Sequence, residues 1–267
     1  MSKVVLVTGG SSGIGRSICE FLHEKGFKVY GTSRNPEKYP DSKVELLELD
    51  VNDITSINFC LEELMTREDR LDILINNAGA GITGPVEEIP GLEIRKNFDT
   101  NFFGPLNLMK GAIPVMRQQN AGIIINITSI AAYIGLPYRG VYSAGKAALE
   151  LIVEAVRMEV KEFNIKIANI APGDFATNIA SGRYHEPVHD ESPYSESYGK
   201  VLRAIDEDVD AGNDPMDVAK LVYRIINTAH PKPHYLVGAF MQKFSIRLKR
   251  ILPQKWFEKL LLRHHKL

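Results

Sequence analysis

This sequence has few cysteines, a net charge close to zero and no long apolar run. Its 267 residues include two cysteines, Cys19 and Cys60, and carry a formal net charge of −1. Two cysteines in separate segments exclude a disulfide framework and a thiolate metal site, and near-neutral charge excludes nucleic-acid recruitment by a global field. No run approaches the roughly 18 apolar residues that a membrane span needs. No charged leader precedes the apolar run at Val4, so we expect no signal peptide and a cytoplasmic protein.

What the sequence does contain is a regular alternation of apolar strands and amphipathic helices. The predicted strands are Lys3–Val7, Lys28–Thr32, Val44–Leu49, Leu71–Ile75, Gly122–Ile127, Lys166–Ile170 and His234–Val237. The predicted helices are Ile14–Lys25, Ile54–Arg67, Ile94–Gln118, Tyr142–Phe163 and Met216–Thr228. Strands that are apolar on both faces, alternating with helices, indicate a doubly wound parallel α/β sheet. We therefore predict a single domain over residues 1–239.

Two segments depart from this alternation. Residues 176–215 are polar and irregular, and Gly182, Pro187, Pro193 and Gly199 are predicted to prevent a long helix there, which suggests a substrate lid. Residues 240–267 form a basic amphipathic extension in which Pro253 starts the last helix. Three interpretations of the extension stay open: it covers the substrate pocket, pairs subunits, or lies on an anionic membrane, the least favoured of the three.

A glycine-rich turn links the first strand to the first helix. The segment runs from Thr8 to Gly15 with the spacing G-x-x-x-G-x-G. Glycine there permits a tight turn and close approach of the backbone to a pyrophosphate, and the helix N-terminus supplies N–H groups to the phosphates. The candidate contacts in this turn are Gly9, Ser11, Ser12, Gly13, Ile14 and Gly15.

The end of the second strand predicts which dinucleotide binds. A carboxylate about 20 residues beyond the glycines would bind the ribose hydroxyls of NAD and repel a 2′-phosphate. This chain has Ser33 and Arg34 at that place. Serine removes the repulsion, and arginine offers a bidentate, charge-assisted grip on phosphate. NADP(H) is therefore favoured over NAD(H).

Tyr142 and Lys146 have the spacing of a proton-transfer pair. They are four residues apart in a predicted helix and so share a face. A free tyrosine has a pKa of about 10, and the lysine ammonium, together with the charge of an oxidised nicotinamide, is expected to lower it. The pattern is weak alone, but Ser129 lies 13 residues before Tyr142. Tyr142 is the expected proton donor and acceptor.

Further motifs follow these in a fixed order along the chain. They are Asp50-Val51, Asn76-Asn77-Ala78-Gly79, Asn101, Ser129, Tyr142-Ser143-Ala144-Gly145-Lys146 and Pro172-Gly173. With the glycine spacing, this set resembles the short-chain dehydrogenase/reductase family from Lys3 to about Leu236. The resemblance implies a Rossmann-like, seven-stranded parallel sheet in the order 3-2-1-4-5-6-7.

The resemblance also implies roles for individual residues. Ser129 would hydrogen-bond the substrate oxygen, Lys146 would also hold the nicotinamide ribose, and Asn101 would anchor a water that relays protons to Lys146. The other cofactor contacts that it implies are Asp50, Val51, Asn77, Ala78, Gly79, Pro172, Gly173, Phe175 and Thr177.

The predicted function is an NADP(H)-dependent oxidoreductase that interconverts a ketone or aldehyde and an alcohol. Family branches with similar extensions handle apolar carbonyls, which suggests an apolar substrate by analogy. The alternative is a non-catalytic NADP(H)-binding sensor or scaffold on the same fold. A homodimer or homotetramer is the family expectation.

One short motif points to a different chemistry. His185-Glu186-Pro187-Val188-His189 matches H-E-x-x-H, but Pro187 interrupts the helix that zinc ligation requires. No metal site is expected.

Overall fold

The centre of the molecule is a sheet of β-branched strands buried on both faces. The computed structural model describes residues 2–175, 183–210, 213–265 and 267, without the side chains of 206–210. The strands are β1 Val4–Val7, β2 Lys28–Ser33, β3 Glu45–Glu48, β4 Ile73–Asn76, β5 Gly122–Ile127, β6 Ile165–Pro172 and β7 His234–Val237. All pair in parallel in the spatial order 3-2-1-4-5-6-7, which confirms the predicted fold.

Helices cover both faces of this sheet. They are α1 Gly13–Glu24, α2 Ile54–Glu68, α3 Gly91–Phe98, α4 Gly104–Gln118, α5 Gly140–Glu159, α6 Ser195–Asp210, α7 Met216–Ile226, α8 Phe240–Ile251 and α9 Gln254–His264. Leu64, Leu108 and Leu149, from α2, α4 and α5, lie in one buried cluster. Ile18 and Val222, from α1 and α7, lie in another. The result is a three-layer α/β/α domain, as parallel sheets require.

The predicted helix Ile94–Gln118 is interrupted at its centre. A π-helical turn, Asp99–Phe103, separates α3 from α4. The Asn101 side chain donates to the main-chain oxygen of Asn97 at 3.1 Å, the acceptor that the Asn101 N–H would use in an α-helix. π-Turns within helices are frequent at functional sites, and this one carries a residue singled out by its motif position.

The described part of the predicted lid is folded, which corrects one expectation. Residues Ser195–Asp210 form a 16-residue helix despite Gly199. Tyr198, Val201 and Ile205 are buried at helical spacing, and one glycine in a helix interior costs only about 1 kcal/mol. The prediction that glycine and proline prevent a long helix is therefore wrong from Ser195 onward.

A second, two-stranded parallel sheet joins this region to the main domain. Ile82–Thr83 pairs with Tyr184–His185, which the sequence analysis did not predict. The Tyr198 hydroxyl donates to the main-chain oxygen of Glu186 at 2.8 Å and lies 3.3 Å from that of Thr83. Tyr198 thereby links helix α6 to the ends of both strands of the small sheet.

The C-terminal extension is helical and packed along one side. Ile246 of α8 and Phe257 of α9 are buried against Ile130 and Ile134, which follow β5. Pro253 directly precedes α9, as predicted. In the described part of the chain, no helix combines the length and apolar character needed to cross a bilayer.

The exchange Gly199→Ala tests whether α6 is a stable helix. A Cβ at this position would meet Arg203 and Val188 at ordinary contact distances of 3.9 and 4.0 Å. Alanine should stabilise the protein by about 0.5–1 kcal/mol and raise Tm by about 1–3 °C in calorimetry. In the control Gly15→Ala, the new Cβ would overlap the Gly9 carbonyl oxygen, so Tm should fall. A lowered Tm for Gly199→Ala would contradict the helix.

Candidate active site

The glycine turn after β1 has the backbone geometry that only glycine adopts without strain. Gly9 and Gly13 have φ values of +64° and +51°. A Cβ at Gly10 would lie 2.7 Å from the Cα of Gly31, and one at Gly15 would overlap the carbonyl oxygen of Gly9. The backbone of the turn therefore packs directly against β2 and against the first turn of α1.

The N-terminus of α1 is a candidate site for an anion. Ser12 is the exposed N-cap and its side chain makes no capping hydrogen bond, and the first helical turn contains no acidic residue. Ser11 and Gly13 are partly exposed, whereas Ile14 is buried in the core. Unsatisfied N–H groups and the positive end of the helix dipole suit an anionic pyrophosphate. The residues present fit a dinucleotide.

Thr8, which the sequence analysis did not single out, holds this turn to the next strand. Its hydroxyl accepts hydrogen bonds from the N–H groups of Asn77 and Ala78, both at 2.9 Å. The Asn77 side-chain amide donates to the main-chain oxygens of Thr8 and Gly9 at 2.9 and 3.3 Å. Asn77 thus binds the backbone of the glycine turn, a role that its position in the motif alone did not reveal.

The residues expected at the adenosine end lie at the carboxyl ends of β2 and β3. Ser33 Oγ accepts from the Asn35 N–H at 3.2 Å, and Arg34 is exposed, without an ion pair among the described residues. Asp50 Oδ1 accepts from the Asn52 N–H at 2.9 Å and Val51 is partly buried beside it. A guanidinium free of carboxylate partners is available to an incoming phosphate.

Ser129, Tyr142 and Lys146 are brought together at the carboxyl end of β5. Ser129 caps the 3₁₀ turn Ile130–Tyr133, and its side chain lies beside that of Tyr142 in the wall of one cavity. Lys146 lies one turn along α5, with Nζ 6.0 Å from the Tyr142 ring centroid. Lys146 Nζ also donates to the main-chain oxygen of Ile127 at 3.1 Å. One hydroxyl pair and one ammonium therefore share a single edge of the sheet.

Burial dominates the pKa values of this pair. Burial raises the pKa of Tyr142, and the charge of Arg139, the neighbouring Ser129 hydroxyl and the charge of Arg183 oppose it. Burial also lowers the pKa of Lys146 to about 8, opposed by the charge of Glu150. Desolvation of the phenol outweighs the nearby positive charges, and Lys146 is not among the causes of the Tyr142 shift. The predicted lowering also needs the charge of an oxidised nicotinamide, so it stays a prediction.

Gly79 keeps a space open between Lys146 and Asn101. A Cβ at Gly79 would lie 3.1 Å from Asn101 Oδ1 and 3.2 Å from Lys146 Nζ. The buried Asn101 side chain donates to the Ala80 oxygen at 2.7 Å and accepts from the Ala80 N–H at 3.3 Å. Because its side chain is committed to Ala80 and Asn97, a relay through Asn101 would use its main chain.

The remaining predicted cofactor residues follow β6. This strand ends at Pro172, and the Gly173 N–H donates to Val237 in β7 at 2.8 Å. Phe175 is buried and forms a parallel bridge with Asn213. Thr177 lies outside the described residues.

A cavity of about 60 Å³ opens at the Tyr142 hydroxyl. Its lining includes Ser129, Tyr142, the small sheet at Ile82–Thr83, Gly173 and Phe175. Three charged side chains, Arg139, Asp174 and Arg183, complete the wall. The arrangement can place a small polar group against both hydroxyls, among charges of either sign.

The histidines of the H-E-x-x-H segment do not share a helix. His185 lies in the two-stranded sheet, with Nδ1 2.8 Å from Thr83 Oγ1, while His189 lies beyond it with Nε2 3.4 Å from Glu186. The helical face that the zinc motif needs is therefore not formed here.

Glu150 is a buried carboxylate that the motifs did not reveal. It lies one turn beyond Lys146 on α5 and accepts from Thr128 Oγ1 at 2.5 Å and from Asn169 Nδ2 at 2.8 Å. His234 Nδ1 lies 2.8 Å from Oε2, the oxygen that also accepts from Asn169. Thr128 directly precedes Ser129, so this carboxylate helps to position the strand end that carries the serine. Its four-residue spacing from Lys146 was the available signal.

An amide ladder continues this network through the sheet. Asn76, Asn126 and Asn169 are register partners on β4, β5 and β6. The Asn76 amide donates to Asn126 at 2.8 Å, and the Asn126 amide donates to Asn169 at 3.2 Å. The ladder fixes the register of the three strands under the site, because each buried amide needs its neighbour.

Comparisons with known proteins agree with this geometry. Residues 3–187 match the family described as short chain dehydrogenase. The chain is 36% identical to 3-ketodihydrosphingosine reductase of Bacteroides thetaiotaomicron, covering 96% of this chain and 95% of that protein. It is 28% identical to NADPH-dependent 3-dehydrocapnine reductase of Ornithobacterium rhinotracheale, covering 97% and 95%. A solved short-chain dehydrogenase from Streptomyces avermitilis superimposes with a TM-score of 0.81 at 31% identity, covering 97% and 98%.

Removing the buried carboxylate tests the network around it. Glu150→Ala leaves Thr128, Asn169 and His234 without their shared acceptor, so the free energy of unfolding should fall by about 2–4 kcal/mol. The control is Glu154→Ala on the same helix, whose side chain is 52% exposed and meets only His234 Nε2 at 3.2 Å. Its loss should stay below about 1 kcal/mol. Urea unfolding measures both, and similar losses would show that Glu150 has no special structural role.

Proposed function

The chain belongs to the short-chain dehydrogenase/reductase family, and we propose that it is an NADP(H)-dependent oxidoreductase that interconverts a ketone or aldehyde and an alcohol. The observation that carries the proposal is that Ser129 and Tyr142 line one cavity beside the buried Lys146. A carbonyl oxygen in that cavity would meet two hydroxyls at once. This is the arrangement that proton transfer to a developing alkoxide requires.

Each side chain then has a distinct task in the reduction. Tyr142 donates its proton to the carbonyl oxygen, and Ser129 donates a hydrogen bond to the same atom. Lys146, whose pKa is about 8, is largely protonated at neutral pH and so favours the tyrosinate that remains. The space that Gly79 leaves between Lys146 and Asn101 would admit a water that reprotonates Tyr142. When bound, the nicotinamide supplies the hydride.

The cofactor would lie along the carboxyl edge of the sheet, from the glycine turn to β6. We propose that Ser11, Ser12 and the N–H groups of α1 bind the pyrophosphate, and that Asp50, Val51, Ala78 and Gly79 border the adenosine and ribose. Pro172, Gly173, Phe175 and Thr177 would border the nicotinamide. Lys146 would hold its ribose.

NADP(H) is the proposed dinucleotide. Ser33 and the exposed Arg34 stand where a carboxylate would otherwise reject a 2′-phosphate. One relative carries NADPH dependence in its name, which supports the same choice.

We propose an amphiphilic substrate, with a polar reacting end and an apolar remainder. Arg139, Asp174 and Arg183 surround the place of the carbonyl group, which suits polar groups beside it. Two relatives are named for 3-ketodihydrosphingosine and 3-dehydrocapnine, in line with such a molecule. In this proposal residues 1–239 form the catalytic domain, with 176–215 over the cavity, and the protein acts as a homo-oligomer.

The exchange Tyr142→Phe tests the catalytic role. It removes the proton donor and should lower kcat by about 10²–10⁴-fold, measured as NADPH consumption over a panel of ketones and aldehydes. NADPH binding should persist. The control Tyr223→Phe removes a hydroxyl from a ring that packs edge-to-face against Phe21, and it should leave kcat unchanged. Wild-type protein that binds NADPH but consumes none with any carbonyl would instead support the sensor or scaffold.

The exchange Arg34→Ala tests the cofactor preference. It removes the phosphate partner, so Kd for NADPH should rise about 10–100-fold, from the 1.5–3 kcal/mol of a charged hydrogen bond. Kd for NADH should change little, since NADH has no 2′-phosphate. Lys38→Ala, in the exposed turn that follows, is the matched control and should affect neither cofactor. Equal losses for NADPH and NADH would refute the preference for NADP(H).

A further inference from the structure

Exposed apolar side chains are concentrated in the C-terminal helices. Among the described residues, 18 large apolar side chains are exposed, and eight of them lie between 240 and 267. Phe240, Ile251 and Trp256 are the most exposed of these eight, with 72%, 78% and 69% of the residue surface exposed. About a tenth of the chain thus contains nearly half of the exposed large apolar side chains among the described residues, which is more than scattered single residues would produce.

These side chains form stripes along the helices. Phe240, Phe244 and Ile251 recur at intervals of four and seven residues on α8, and Trp256 and Leu260 are four apart on α9. The rings of Phe240 and Phe244 stack at 5.8 Å. The opposite sides carry the buried Ile246 and Phe257. Each helix therefore has one face in the protein core and a second apolar face in contact with solvent.

The same segment carries the positive charge of the molecule. Residues 240–267 contain eight of the chain's 32 Lys and Arg residues but only one of its 33 Asp and Glu residues. Arg247 and Arg263 lie within the apolar stripes, and Lys255 and Lys259 lie beside them, all exposed. The remainder of the chain has an excess of acidic residues. The C-terminal surface is both apolar and strongly cationic.

We propose that the exposed faces of α8 and α9 bind the surface of a bilayer that contains anionic lipids. Aromatic and aliphatic side chains would enter the headgroup region while the Lys and Arg heads stay at the phosphates. A second copy of this chain fits less well, because a symmetric contact would bring two cationic surfaces together. The single acidic side chain of the segment, Glu258, could not compensate them.

The position of α8 connects this surface to the active site. Gln242 of α8 donates to Asp174 at 2.5 Å and lies against Gly173, both of which line the cavity. Lys249 donates to the main-chain oxygen of Tyr133 at 2.7 Å, in the turn that follows Ser129. Helix α8 therefore contacts the rim of the cavity on one side and would contact lipid on the other. Substrate could then pass from the bilayer to Tyr142 without crossing bulk water.

The experiment uses the full chain and its single tryptophan. Trp256 is the one tryptophan in the sequence, so intrinsic fluorescence reports on the proposed surface alone. Vesicles of equal parts phosphatidylglycerol and phosphatidylcholine should sediment the protein and shift Trp256 emission to shorter wavelength. Pure phosphatidylcholine vesicles should do neither, and added salt should release the protein. No turnover is needed, so the result does not depend on the proposed reaction.

Two variants separate the electrostatic and apolar contributions. Lys255→Glu with Lys259→Glu should weaken vesicle binding by at least about tenfold, since each basic residue near the surface contributes roughly fivefold. Lys161→Glu with Lys220→Glu makes the same change in net charge on exposed residues elsewhere and should bind as the wild type does. Phe240→Ser with Ile251→Ser should remove binding. NADPH affinity and circular dichroism show that each variant is folded.

Four results would overturn the proposal. The first is no association with anionic vesicles, and the second is equal binding to neutral ones. The third is a change of molecular mass in solution for Phe240→Ser with Ile251→Ser, without vesicle binding by the wild type, because the face would then be an interface between copies. A loss for Lys161→Glu with Lys220→Glu as large as that for the tail pair would reduce the effect to net charge and would also overturn it.

Discussion

The site depends on the burial of one ammonium group. Lys146 is 3% exposed, and an isolated cation there would lose its charge. Two groups favour the charged form of Lys146. Its Nζ donates to a main-chain oxygen of β5, and the Glu150 carboxylate lies one helical turn away. The same carboxylate binds Thr128, next to Ser129. One buried anion thus supports both the charge of the lysine and the position of the serine, and the Asn ladder holds the strands that carry them.

Sequence patterns were sufficient where function and backbone geometry coincide. The glycine turn, the strand order and the meeting of Ser129, Tyr142 and Lys146 follow from motifs that sit at strand ends, and parallel strands bring those ends to one edge. The first helical turn of α1 and the exposed Arg34 also lie where the spacing placed them. These features depend on short segments, which local sequence describes well.

The features that were missed depend on tertiary contacts. Helix α6 forms because Tyr198 reaches the small sheet, which no local propensity reveals. The π-turn at Asn101 arises where a side chain takes a main-chain acceptor. Glu150 looks like any acidic residue on an amphipathic helix until Thr128, Asn169 and His234 converge on it. The effect of burial on the Tyr142 pKa was missed for the same reason, since burial is a property of the whole fold.

The polarity of the cavity and that of the C-terminal helices make sense together. The cavity of about 60 Å³ that the described residues form at Tyr142 is too small for a long apolar chain, and Arg139, Asp174 and Arg183 make part of its wall charged. The apolar part of the proposed amphiphilic substrate would therefore lie outside it. Helix α8 contacts Asp174 of the cavity wall through Gln242 and exposes Phe240 and Phe244 elsewhere on its surface. The proposed membrane contact and the proposed substrate class would then both depend on one helix. A chain that stays in the bilayer while its polar end reaches Tyr142 would also spare the protein a deep apolar pocket, which the described residues around Tyr142 do not form.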